Sequence, residues 1–186
     1  MPIEVTPTEL PGVLIIEPRR FGDERGLFCE TYNRRDFAEA GIDAEFIQDN
    51  HAFSAEAGTL RGLHFQAPPA AQAKLLRVPR GAVMDVAVDI RRSSPTYGRH
   101  VAVVLSAENW RQLFVPRGFA HGYCALEPDT HVVYKVDGYY SREHEGGLLW
   151  NDPELAIDWG VGEKPPIVND RDAAWPTLAE LNAPFD

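Results

Sequence analysis

The sequence predicts an all-β protein, a sandwich or barrel of short antiparallel strands, and three observations carry that expectation. Short apolar runs recur along the chain, punctuated by breaks such as Pro79-Arg80-Gly81 and Pro116-Arg117-Gly118. In the clearest of them, 82–90, Ala82, Met84, Val86, Val88 and Ile90 alternate with Val83, Asp85, Ala87 and Asp89, the period of a half-buried strand. Helix signals, by contrast, converge best on one segment, 34–40, with Asn33 as N-cap, Asp36 in the first turn and Gly41 just past the end.

Taken in order, residues 13–16 form a first strand between Pro11-Gly12 and Pro18. A charged, glycine-rich turn over 21–26 leads into a second strand over 26–32. After the helix come strands over 45–48 and 59–66, with Asp49-Asn50-His51 opening the loop between them and Pro68-Pro69 closing the second. Further strands follow at 74–78, 82–90, 101–105, 111–115, 120–126 and 131–137. In the tail, 169–174 forms one helical turn, and Thr177 with Glu180 makes a capping box for a short final helix. No internal repeat, linker or low-complexity segment interrupts the chain, so residues 1–186 are expected to form one domain.

Composition narrows the partners. A chain of 186 residues can bury a core without staples, and 44% hydrophobic with 25% charged residues is ordinary for a soluble globule. A net charge of −10 argues against nucleic acid or an anionic membrane as the main partner, so any anionic ligand needs a local basic cluster. No apolar run approaches a membrane span, and Met1-Pro2-Ile3-Glu4 lacks the marks of a signal peptide. Cys29 and Cys124 lie in apolar strand-like runs and are expected to be reduced, buried thiols of a cytoplasmic protein.

Polar residues without an obvious structural need collect in the strands and their loops: Arg25, Glu30, Gln48, Asn50, Arg61, His64, Lys74, His121, Tyr134, Tyr140, Glu145 and Asp172. Singly, each has an ordinary explanation: a surface charge at Arg25 or Glu30, an edge-strand charge at Lys74, a core ring at Tyr134, a cap at Asp172. Together they mark a site. Arg61-Gly62-Leu63-His64-Phe65-Gln66 sets a guanidinium and an imidazole on one strand, but strict alternation puts them on opposite faces. Both serve one cleft only if Gly62 marks a bulge or Arg61 reaches around an edge. No metal is expected, because the six histidines contain no His-x-His pair and Gln66 stands two residues after His64. No nucleophile elbow, phosphate loop or dinucleotide glycine motif is present, and neither cysteine has an activating partner in sequence. What remains is acid–base work by His64 and Tyr134, with Asp172 orienting the imidazole.

Five motifs, Phe21-Gly22-Asp23-Glu24-Arg25-Gly26, Gln48-Asp49-Asn50-His51, Arg61 to Gln66, Gly118-Phe119-Ala120-His121-Gly122, and Tyr139-Tyr140-Ser141 through Trp150-Asn151-Asp152, occur in this order. They resemble the dTDP-4-dehydrorhamnose 3,5-epimerase family from about residue 13 to about residue 172. The resemblance implies a cupin-type jelly-roll, a homodimer, no cofactor, and a dTDP-4-keto-6-deoxyhexose substrate inverted at C3 and C5. It assigns His64 as general base, Asp172 as the carboxylate paired with it, Tyr134 as general acid and Lys74 as the group near the developing enolate. Arg25, Glu30, Gln48, Asn50, Arg61, His121, Tyr140, Glu145 and Arg171 fall to substrate binding, Arg171 standing where a Lys is more usual. Arg25 and Arg61 would grip the pyrophosphate and offset the net negative charge locally. Three rival readings share the fold: an epimerase acting at C3 or C5 alone, disfavoured by Tyr134, a sugar-nucleotide-binding cupin without catalysis, and a metal-dependent oxygenase.

Overall fold

The computed structural model describes residues 3–162 and 164–186. Strands β1 (Ile3–Pro7), β2 (Leu14–Pro18), β3 (Arg20–Asp23) and β4 (Gly26–Cys29) precede the helix α1 (Arg34–Glu39). Then come β5 (Gln48–Ser54), β6 (Leu60–Gln66), β7 (Lys74–Arg80), β8 (Ala82–Asp89) and β9 (His100–Ser106). The last four are β10 (Gln112–Val115), β11 (Phe119–Ala125), β12 (Thr130–Val136) and β13 (Glu145–Gly147). Among the described residues they make two sheets of order β1-β2-β10-β7-β12-β5 and β13-β6-β11-β8-β9, with β3 and β4 as a separate hairpin. The pairings within both sheets are antiparallel. The expected all-β class and the cupin-type jelly-roll hold.

The sheets close on each other through inward residues of opposite walls: Leu76, Val78, Leu113 and Val132 from one, Val83, Ala87, Leu105 and Tyr123 from the other. Outside the second sheet, the C-terminal segment lays Leu148, Leu155 and Trp159 over Leu60, Leu63, Phe65, Val86 and Val88. The first sheet is covered at one end by Phe37 and Ile42, which pack on Ile16, Leu75 and Phe114. Phe37 is the buried residue of α1, whose Asn33 side chain accepts from the amides of Arg35 and Asp36 as its cap pattern predicts.

Several boundaries differ from the sequence expectation, each for a physical reason. The strand at 82–90 is buried on both faces, not half-buried, because the C-terminal segment covers its outer side. Residues 45–47 are not strand, whereas Asp49-Asn50-His51, expected as loop, lie within β5 and pair with β12. Polar residues in alternation there reflect a strand with one side on a cavity and the other on solvent. The strand expected over 26–32 ends at Cys29, which is only half-buried, while Cys124 is buried and both thiols are free. In the tail, Asp172–Ala174 forms a 3-10 turn. The Thr177 amide donates to the Glu180 carboxylate, one half of a capping box, but the hydroxyl donates to the same carboxylate instead of accepting the Glu180 amide, and only a turn follows instead of a helix.

Candidate active site

Inward-facing side chains change character along the strands. On β7, Val78 and Leu76 belong to the core between the sheets, while Lys74 lines a cavity at the open end. That cavity measures about 400 Å³. Gln48, Asn50, Lys74 and Tyr134 line it from the β7-β12-β5 side, and Arg61, His64 and His121 from the β6-β11 side. Tyr140, Glu145, Arg171 and Asp172 also line it.

Gly62 brings Arg61 and His64 to the same cavity. His121 pairs with His64 and Tyr123 with Arg61, so two steps along β11 span three along β6. The backbone of Gly62 has φ +143°, and a Cβ there would lie 2.5 Å from Gly122 Cα. This is the bulge that strict alternation required. Arg61 then reaches the rim, where it donates to the Phe53 carbonyl at 3.0 Å.

His64 meets Asp172 through Nε2 and Oδ1 at 2.8 Å, with Asp172 fully buried and the imidazole about a quarter exposed (24%). The other carboxylate oxygen accepts the Gly62 amide at 3.0 Å, and the Asp172 amide donates to Asn169 at 2.7 Å. Burial alone would raise the Asp172 pKa. The His64 bond, the Gly62 amide and the Arg171 charge outweigh it and hold the carboxyl below the usual range. Trp175 stands edge-on to His64 with ring centres 6.4 Å apart.

On the facing wall, burial raises the phenol pKa of Tyr134, against the opposing pull of the Arg61 charge. Desolvation lowers the Lys74 ammonium to about 8 despite the opposing fields of Asp85 and Glu145. Its ammonium donates a long hydrogen bond of 3.4 Å to the His64 carbonyl. His121 and Asp85 form a second imidazole–carboxylate pair, 2.8 Å apart, with both side chains buried. At the rim, Arg171 donates to both oxygens of Glu145 at 3.0 and 3.1 Å, and the Tyr140 hydroxyl bonds the same carboxylate.

Two expected site residues lie elsewhere. Arg25 and Glu30 do not line the cavity: Arg25 sits on the β3–β4 hairpin with its side chain 90% exposed and paired to Asp23, and Glu30 follows the hairpin and accepts from Asn33. Gln66, Gln72, Tyr123 and Asn169 line the cavity without having been singled out. Asp85 was not legible as a site residue, because in the sequence it shares its phase with Asp89, and only the packing shows that Val83 and Ala87 on that phase face inward. Among the described residues, no three His, Cys, Asp or Glu side chains converge as a metal-ligand set.

The family model described as dTDP-4-dehydrorhamnose 3,5-epimerase matches residues 7–180. The enzyme of that name from Shigella flexneri is 53% identical over 171 residues, 91% of this chain and 93% of the relative. A Bacillus anthracis crystal structure of the same enzyme, with TDP and PPi bound, superposes with a TM-score of 0.91 at 51% identity, covering 94% of this chain and 99% of that one. The Legionella pneumophila dTDP-6-deoxy-D-glucose-3,5-epimerase, in complex with dTDP-4-keto-L-rhamnose, gives 0.92 at 43% identity over 97% and 95% of the two chains. With the fold, the motif order and near-complete coverage in agreement, this chain belongs to the dTDP-4-dehydrorhamnose 3,5-epimerase family.

Proposed function

We propose that the protein inverts C3 and C5 of dTDP-4-dehydro-6-deoxy-D-glucose to give dTDP-4-dehydro-L-rhamnose, without a cofactor. The observation that carries this reading is the placement of an imidazole and a phenol on opposite walls of one cavity: His64 on β6 and Tyr134 on β12. Protons on C3 and C5 flank the C4 carbonyl, so each can leave as an enolate forms. Inversion requires a base on one face of the sugar and an acid on the other. His64 takes the carbon-bound proton through Nδ1, the ring nitrogen not engaged by Asp172, and Asp172 orients the ring and stabilises the imidazolium. Tyr134 delivers a proton to the opposite face. Lys74, in its charged form, lies beside the carbonyl oxygen and stabilises charge that appears only in the transition state. Each cycle ends when the imidazolium loses its proton to solvent and the tyrosinate regains one.

For binding, Gln48, Asn50, Arg61, His121, Tyr140, Glu145 and Arg171 hold the nucleotide sugar. Arg171, in place of a lysine, adds a planar donor set already engaged with Glu145. Arg25 and Glu30 belong to the site only if they come from a second copy. The hairpin that carries Arg25 is exposed up to Cys29 and displays Phe21, Leu27 and Phe28, the last 66% exposed. We therefore propose a homodimer in which each hairpin completes the other copy's site. Two free cysteines suit a reducing, cytoplasmic setting.

The test is incubation with dTDP-4-dehydro-6-deoxy-D-glucose in deuterated water, followed by proton NMR at C3 and C5. Deuterium at both carbons, with the L-configured keto sugar trapped by a reductase, is the expected result. Exchange at one carbon would reduce the activity to a single-centre epimerase. Exchange at neither would leave a sugar-nucleotide-binding protein.

A further inference from the structure

Asp85 is a buried carboxylate beside the cavity that this mechanism does not use. It lies on β8 opposite Tyr123 of β11, in phase with the core residues Val83 and Ala87, and none of its side chain reaches solvent. One carboxylate oxygen bonds His121 Nε2 at 2.8 Å. The other, Oδ2, is buried without a hydrogen-bond partner among the described residues. A carboxylate held this way is costly unless a nearby positive charge compensates it. The nearest candidate is Lys74, half-buried on the facing sheet: it lines the same cavity as His121, the ring that Asp85 holds, its ammonium makes a long 3.4 Å bond to the His64 carbonyl, and the field of Asp85 opposes the lowering of its pKa by desolvation. Each half of this arrangement leaves the other incomplete.

We infer that Asp85 is a positioning residue of the reaction: it fixes the ring of His121 and supplies negative charge that favours the ammonium form of Lys74 in the cavity. The bond to Nε2 sets the His121 ring so that Nδ1 is the nitrogen left for other partners. The charge acts on Lys74 against desolvation, which lowers its pKa and so works against the ammonium that would stabilise an enolate oxygen. Other titratable or charged groups sharing the cavity are His64 and Arg61 from β6, His121 and Tyr123 from β11, Tyr134 from β12 and Glu145 from β13, with Asp172 behind His64. Of these, Glu145 also favours the charged lysine, but it is already engaged by Arg171.

The inference rests on the epimerase reading for its catalytic meaning, yet its central claim is measurable without substrate. The chain has three lysines, Lys74, Lys135 and Lys164, so lysine labelled at the side-chain carbon and nitrogen gives three resolvable titrations by NMR. Asp85→Asn and the smaller Asp85→Ser both remove the charge and leave an acceptor for His121, and near-ultraviolet circular dichroism shows which is folded. In a folded variant the Lys74 midpoint should fall by about one pH unit or more while Lys135 and Lys164 stay in place. The basic limb of kcat/KM should move down by the same amount, because deprotonation of Lys74 is then reached at lower pH. Asp85→Glu, which restores the charge, should return the midpoint most of the way. An unmoved Lys74 titration in folded Asp85→Asn or Asp85→Ser would overturn the inference. Should the wild-type protein exchange neither C3 nor C5, the epimerase reading fails, and the lysine titration still decides whether Asp85 sets the charge of Lys74.

Discussion

His64 and Tyr134 share a cavity but not a wall, and that separation makes their removal distinguishable. Substituting His64 by Asn removes the base and should lower turnover by roughly a thousandfold, with dTDP affinity kept because the nucleotide contacts lie on other residues. Isothermal titration with dTDP beside a coupled turnover assay checks both halves, and retained turnover would sink the assignment. Tyr134→Phe removes only the acid, so wash-out of substrate protons into solvent should persist while inversion falls. Equal loss of both would make Tyr134 a structural ring. At this scale the sequence picked out most of the charged residues that line the cavity, since such side chains stand out against a strand background. Asp172 meets His64 at 2.8 Å, while Asp170, two residues earlier, is exposed. Asp85 was hidden for the opposite reason. One carboxylate inside an alternating strand looks like its solvent-facing phase until the burial of the other face is known.

Elements show where local pattern gives way to packing. The Pro and Gly breaks marked most strands, because turn chemistry is written in a few residues. β13 was not legible, since Glu145-Gly146-Gly147 has no strand propensity and pairs with β6 through position alone. Its glycines are required: a Cβ at Gly147 would meet the Trp175 ring at 2.5 Å, and one at Gly146 would meet Phe65 at 2.4 Å. The bulge in β6 was anticipated at Gly62 and gives a sharper test. Gly62 and Gly41 both have left-handed φ, +143° and +86°, but only Gly62 is crowded, with nothing within 4 Å of a Cβ at Gly41. Gly41→Ala should cost about 1 kcal/mol of backbone strain. Gly62→Ala adds a collision with the β11 backbone and should cost roughly 3 kcal/mol or more, with loss of activity as Arg61 and His64 leave register. Denaturant midpoints measure the pair, and equal losses would mean that the close approach of β6 to β11 is not what requires glycine at position 62.

The whole molecule raises a question that no single chain answers: why an exposed hairpin carries an arginine and a patch of aromatic and aliphatic side chains. Phe21 and Leu27 are 39% and 50% exposed, and Arg25 points away from the cavity of its own chain. If the hairpin acts on a second copy, the site is shared, and sharing has a signature that a self-contained site lacks. Arg25→Glu spoils only the hairpin contribution, and His64→Ala only the cavity. Mixed after partial unfolding and reassociation, the two impaired variants form heterodimers in which one site combines an intact cavity with an intact hairpin and the other carries both defects. Random mixing puts half the dimers in this class, so activity should recover to about a quarter of the wild-type level. Hairpins that serve their own chain leave every site with one defect, and no recovery follows. Sedimentation of the mixture separates this from failure to reassociate: a dimeric but inactive mixture would place Arg25 in its own chain's site. Phe28→Asp completes the argument, because a charge on the exposed apolar face should convert the dimer to monomer and reduce turnover together, although the substitution lies outside the cavity.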